Sequence, residues 1–222
     1  MQEPVHQETI KGFKIEIAHD MDPMSPREWS NLGTIIYSSR RHTLGDVNCN
    51  IDDHLYGLCC DIHPDFPEEQ FEEHGWKILE KYYHILPVYC YMHGCVKLST
   101  GSFSCPWDSG QSGFIYCLKE TMRKEIGNYS EERGDEVLRS EIETYSAYLN
   151  GDVYGYVITN EEDDDEVDSC WGFFGDYESD HCLGEARRIA EEAAKEKEIL
   201  EIKYAKEKEN LEYQTALAEV YP

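Results

Sequence analysis

Positive charge is scarce in this chain of 222 residues: 20 Lys and Arg stand against 46 Asp and Glu, a formal net charge of −26 at pH 7. A surface of that sign repels nucleic acid, so direct DNA or RNA binding is not expected, and it attracts partners whose own surface is strongly basic. No run of about 18 apolar residues occurs, and the N-terminus has no basic stretch followed by an apolar segment and a small-residue cleavage site. Neither a membrane span nor a secretory leader is therefore expected. A disulfide framework is missing too, because the nine cysteines are odd in number and irregularly spaced in a chain too long to need staples. Reduced thiols and a cytoplasmic setting follow as expectations. No phosphate-cradling glycine loop, G-x-S-x-G elbow or kinase signature is present, so no catalytic residue, cofactor or metal is assigned.

What the chain does contain points to a folded protein. Aromatic residues make up 12% and apolar residues 40%, with 16 Tyr and 4 Trp, more than a solvating acidic tail carries. The acidity is uneven: residues 131–222 hold 27 acidic and 9 basic residues, and residues 1–130 hold 19 and 11.

Hydrophobic periodicity supplies the elements. Phe13, Ile15 and Ile17 alternate with charged residues in a first strand over 10–18, and Ser25 with Pro26 opens a short helix. Thr34–Tyr37 reads as a strand or a buried helix start, and residues 65–83 as a helix. His84 to Tyr91 and residues 95–99 form a hairpin, a Gly/Ser-rich loop covers 100–113, and Phe114–Leu118 is a strand leading to a short helix at 119–126. Ser130 starts a helix with Leu138, Ile142, Tyr145 and Leu149 on one face, ended by Asn150-Gly151. Strands at 153–159 and 167–174 flank an acidic turn. Residues 185–217 make a last helix, whose stripe of Ile189, Ala193, Leu200, Tyr204 and Leu211 is interrupted by Glu196 and Glu207. Strands that come as hairpins and helices that come as separate blocks predict an α+β fold, an antiparallel sheet of about five or six strands with flanking helices and a long C-terminal acidic helix. The expected division is a body over 1–180 and a charged helix over 181–222, with a homodimer through that helix left open.

Three candidate sites arise. In the loop Ser102 to Gln111, Cys105 and Asp108 with His84 or His93 would make a Cys-His-Asp set acting on a nucleotide or signalling molecule. The plainer expectation there is structural: Pro106, Gly110 and Gly113 make turns, Asp108 caps the backbone and Trp107 plugs a core. Cys59, Cys60 and His63, and Cys90, His93 and Cys95, are zinc-type residues at spacings that fit no finger or ribbon. The turn at 161–166 lacks the spacing of a calcium loop.

Ser25-Pro26-Arg27-Glu28-Trp29-Ser30-Asn31-Leu32-Gly33-Thr34, Arg40-Arg41 with Leu44-Gly45-Asp46, Ser104-Cys105-Pro106-Trp107-Asp108-Ser109-Gly110-Gln111, Gly151-Asp152-Val153-Tyr154-Gly155 and Ser169-Cys170-Trp171-Gly172-Phe173 occur in this order. In this the chain, over residues 10–175, resembles a family of bacteriophage and mobile-element proteins. The resemblance implies a phage gene product in a bacterial cytoplasm. Small acidic phage proteins include anti-CRISPR and antirestriction inhibitors that occupy nucleic-acid-binding clefts.

The function expected is therefore inhibition of a host-defence nuclease by nucleic-acid mimicry, with a basic nucleic-acid-binding protein as partner. Carboxylates standing in for phosphates are Glu131, Glu132, Asp135 and Glu136 on one helix and Glu161, Glu162, Asp163, Asp164, Asp165, Glu166 and Asp168 on the hairpin, with Glu191, Glu192 and Glu198 on the last helix. Arg40 and Arg41 are expected to hold the fold together through carboxylate pairs.

Overall fold

Two sheets, of four and five strands, take up the hairpins of this α+β chain; the computed structural model describes residues 3–105 and 107–220, the last five as backbone alone. In chain order the strands are β1 (His6–Ile10), β2 (Phe13–His19), β3 (Thr34–Tyr37), β4 (Val47–Asn48), β5 (Tyr83–Met92), β6 (Val96–Ser99), β7 (Ser109–Leu118), β8 (Val153–Asn160) and β9 (Glu166–Phe174). The α-helices are α1 (Ile51–Ile62), α2 (Trp76–Tyr82), α3 (Lys119–Glu125), α4 (Glu131–Asn150) and α5 (Glu185–Val220). Pro106, expected in a turn, lies outside the described residues. The chain divides into two units, a discontinuous one of Met1–Pro23 with Val153–Pro222 and a continuous one of Met24–Asp152. Among the described residues no helix is long and apolar enough to cross a membrane.

The discontinuous unit is a fully antiparallel sheet in the order β1-β2-β8-β9. The expected strand over 10–18 is in fact the turn and second arm of a hairpin. Lys11 and Gly12 both have positive φ, 50° and 88°, the geometry of a two-residue type I′ turn. Alternation then sorts the faces of β2: Phe13, Ile15 and Ile17 are buried with Tyr156 and Ile158 of β8, while Lys14, Glu16 and Ala18 face the other way. The buried face is closed by the first turns of α5. Ala186, Ala190 and Ala194, four residues apart on one helix face, are small enough to let the helix lie close to the sheet. Beyond that contact the apolar stripe is unused, since Leu200, Tyr204 and Leu211 are exposed along with Ile199, Ile202 and Tyr213.

The continuous unit is a sheet in the order β4-β3-β7-β5-β6, with β4 parallel to β3 and every other pairing antiparallel. One face buries Ile35, Val88, Cys90, Leu98, Ile115 and Cys117 against Leu138, Ile142 and Tyr145 of α4. The opposite face buries Ile36 and Tyr83 against Leu55, Leu58 and Cys59 of α1 and Leu79 of α2. Helix α4 begins where Ser130 Oγ accepts the Arg133 amide at 3.2 Å and ends at Gly151, whose φ of 79° is the left-handed stop a helix needs. The helix read over 65–83 starts only at Trp76, after a short 3-10 turn at Glu68–Gln70 and a π turn at Phe71–Gly75. The loop read over 100–113 is shorter than expected, because β7 begins at Ser109, paired with Tyr91. Helix α1 has no counterpart among the expected elements; Asn50 caps it by accepting the amides of Asp52 and Asp53.

The cation that organises this unit is Arg27, held on the short 3-10 turn that Ser25 caps. Its guanidinium donates to Asp46 at 2.6 and 2.9 Å, to Glu141 at 3.1 Å and to the Gly33 carbonyl at 2.6 Å, while only 9% of its side chain is exposed. Arg40 and Arg41 do not have the role expected of them: both are exposed, and no ion pair involving either is present among the described residues.

Candidate functional site

The β8–β9 hairpin carries the densest negative charge. Asn160 accepts the amides of Glu162 through its side chain, at 3.3 Å, and of Asp164 through its carbonyl, at 2.9 Å; Asp163 accepts the Asp165 amide at 3.2 Å. These local bonds make the turn from its own carboxylates and amides, with Asp164 in the left-handed region at φ 57°. Residues 161–167 are all exposed. Lys197 of α5 reaches Glu162 at 2.7 Å while lying over the Phe13 ring, 5.8 Å from its centroid. A shallow cleft lined by Lys11, Glu162, Lys197, Glu198 and Glu201 results. The structure thus brings Glu162 of the hairpin and Glu198 of α5 together around Lys197.

Four other predicted residues on these elements, Asp168, Glu166, Glu161 and Glu192, already have partners within the chain. Asp168 accepts the Tyr156 hydroxyl at 3.0 Å, and burial, reinforced by that carboxylate, pushes the Tyr156 phenol well up. Glu166 accepts from Ser169 at 2.7 Å, Glu161 from Thr9 at 3.0 Å, and Glu192 pairs with Arg188 at 2.8 Å. Glu191 is exposed on α5.

On α4 the four candidates part company. Glu132 and Glu136 are exposed, whereas Glu131 and Asp135 belong to a polar cluster around His84. His84, 3% exposed on β5, meets Asp135 Oδ1 at 3.1 Å through Nδ1 and the Tyr129 hydroxyl at 2.6 Å through Nε2. Tyr129 in turn donates to Glu131 at 3.2 Å, and Lys119 pairs with Glu131 at 2.9 Å. The hydrogen bond from Lys119 holds the Glu131 carboxyl below its ordinary range. Gly134 makes room, since a Cβ there would overlap the His84 imidazole. Glu131 and Asp135 therefore tie the start of α4 to the sheet through His84, and Lys119 and Arg139 offset part of their charge.

The Cys105 loop does gather the expected residue types. Cys105 Sγ lies 3.5 Å from Asp108 Oδ2, and His93 Nδ1 lies 3.5 Å from the same oxygen. The carboxylate stands between thiol and imidazole, whereas an activated cysteine needs the imidazole next to the sulfur. His84 sits far along β5, engaged in its own cluster. Trp107 plugs no core; it is 92% exposed. Gly110 and Gly113 run in β7 rather than in turns. Among the described residues no group of three or more His, Cys, Asp or Glu side chains converges to hold a metal ion. Cys59 and Cys90 of the zinc-type clusters are buried, and burial pushes the Cys90 thiol up to about 11.

The residue that sequence reasoning missed is Lys197, which joins hairpin to helix; its one signal was its place one turn beyond Ala193 and Ala194. Neither a family model, nor a curated protein, nor a solved structure matches the chain.

Proposed function

We propose that this protein binds a basic nucleic-acid cleft of another protein and stands in for the nucleic acid. The observation that carries this reading is the exposed carboxylate run of residues 161–166, joined through Lys197 to Glu198 on α5. Carboxylates on a hydrogen-bonded turn are preorganised, so little ordering cost is incurred when Arg and Lys side chains of a partner approach. The resemblance to bacteriophage and mobile-element proteins supplies the setting, an inhibitor of a host-defence nuclease such as a CRISPR effector or a restriction enzyme. Glu131 and Asp135 are left out of the binding surface because they serve the fold. A cysteine enzyme is the weaker reading, since Asp108 separates Cys105 from His93.

The test is capture of partners from a bacterial lysate at about 0.1 M salt, where charges about 10 Å apart still interact, followed by elution with duplex DNA or RNA. Nucleic-acid-binding proteins released by the nucleic acid support mimicry. The triple substitution Asp163→Asn, Asp164→Asn, Asp165→Asn removes charge while its amide oxygens keep the turn, and Asn tolerates the left-handed position of Asp164. It should abolish or sharply reduce capture. Equal capture by the triple variant, or partners that nucleic acid does not displace, would overturn the reading.

A further inference from the structure

The face of the discontinuous sheet that α5 leaves uncovered is not a plain polar surface. Cross-strand pairing sets Ala18 of β2, Gly155 of β8 and Trp171 of β9 in one row, and Glu16 with Val157 in the next. Together with Pro4, Lys14, His19, Asp20, Met21 and Asp22 they line a cavity of about 600 Å³. Its lining is mostly apolar, with Ala18, Val157 and the half-exposed indole of Trp171, and it carries the carboxylates of Glu16, Asp20 and Asp22. Lys14, the lysine among the lining residues, already pairs with Glu16 at 2.9 Å, and among the described residues no ion pair involves Asp20 or Asp22.

An aromatic face beside carboxylates selects a particular cation. A guanidinium is planar, weakly hydrated and always charged, so it stacks on an indole while its N–H fork reaches carboxylates at the edge. An ammonium is a compact, strongly hydrated point charge and gains less from the ring. A nucleobase would also stack, but its phosphates would meet Asp20 and Asp22. We infer that this cavity takes an arginine side chain from a basic protein partner, with Trp171 as the stacking surface and Asp20 and Asp22 as the charged edge. The inference rests on the reading that the partner is basic, and it adds to the acidic hairpin an anchor specific for arginine. Trp and Arg are the residues in which interface energy most often concentrates.

The experiment is a titration of the full chain with fluorescently labelled oligo-arginine and oligo-lysine peptides of equal length at low salt. The wild type should prefer oligo-arginine by roughly fivefold to tenfold, the size of a partly desolvated cation–π contact. Trp171→Ala should bring the two peptides to parity, and so should Asp20→Asn with Asp22→Asn, in which the amide oxygen still accepts the Asp22 backbone N–H. Charge loss on the hairpin, in Asp163→Asn, Asp164→Asn, Asp165→Asn, should weaken both peptides and keep the preference. Equal binding of the two peptides by the wild type, or a preference that survives Trp171→Ala, overturns the arginine pocket and leaves the hairpin reading standing. Failure of the wild type to bind either peptide overturns both.

Discussion

The indole of Trp171 lies across Gly155 of the neighbouring strand, in the space that a Cβ at that position would fill. The glycine is thereby buried on an otherwise open sheet face, and its missing side chain is replaced by an aromatic ring from the adjacent strand. Gly155→Ala should destabilise the protein by about 1–3 kcal/mol, the cost of overpacking a well-filled site. Part of that loss should vanish in a Trp171→Ala background, with a coupling on the order of 1 kcal/mol, measured by urea unfolding of the two single variants and the double variant. Additive losses would show that the ring does not occupy the glycine's space.

Arg27 is the second point of leverage. Removing it strands Asp46 and Glu141, carboxylates with 26% and 13% of their side chains exposed. Arg27→Ala should cost about 3–5 kcal/mol, as expected when one partner of a buried ion pair is lost. Arg27→Lys should recover only part of it, because an ammonium cannot serve Asp46, Glu141 and the Gly33 carbonyl from one planar fork. Thermal melts of both variants check this; equal melting of wild type and Arg27→Ala would contradict it.

Acid sensitivity follows from Glu131. The Lys119 hydrogen bond lowers its carboxyl from the ordinary value near 4.5, so the folded state binds this proton less readily than the unfolded state. The stability it contributes is present above about pH 4.5 and is lost as pH falls through the lower folded value. The difference in urea midpoint between wild type and Glu131→Gln should therefore be constant at neutral pH and shrink below pH 4.5. A difference that grows on acidification would show the reverse linkage.

The thiols should divide by burial. Cys90, Cys117 and Cys182 are pushed up to about 11 by their apolar surroundings, so at pH 8 they are protonated and shielded, whereas Cys170 is exposed on β9. Brief alkylation read by peptide mass spectrometry should label Cys170 and spare these three until the chain is denatured. The same thiols add stability below their ordinary value of 9 that disappears as pH rises toward 11. Labelling of Cys90 as fast as Cys170 would contradict the packing of the continuous unit.

Helices with a clean cap and stripe were legible residue by residue. Ser130, Leu138, Ile142, Tyr145 and Gly151 mark α4 because its capping bonds and its single buried face involve residues close in sequence. α1 was missed for the converse reason: Gly57, His54 and paired cysteines dilute its pattern, and its apolar residues are helical because β3 and β7 cover them. The hairpin at β1 and β2 escaped notice because Lys11-Gly12 is a less familiar turn pair than Asn-Gly.

The sequence by itself determined the acidity, the α+β class, the exposed carboxylate turn at 161–166 and most strand and helix positions, since each depends on local charge, capping or alternation. Only the tertiary structure decided what those pieces do together. It paired β2 with β8 across more than a hundred residues of intervening chain, and so set Ala18, Gly155 and Trp171 side by side. It likewise turned Glu131 and Asp135 from surface charges into fastenings for His84, and placed Lys197 against Glu162. Long-range pairing is fixed by which buried faces fit one another, and no local pattern encodes that fit.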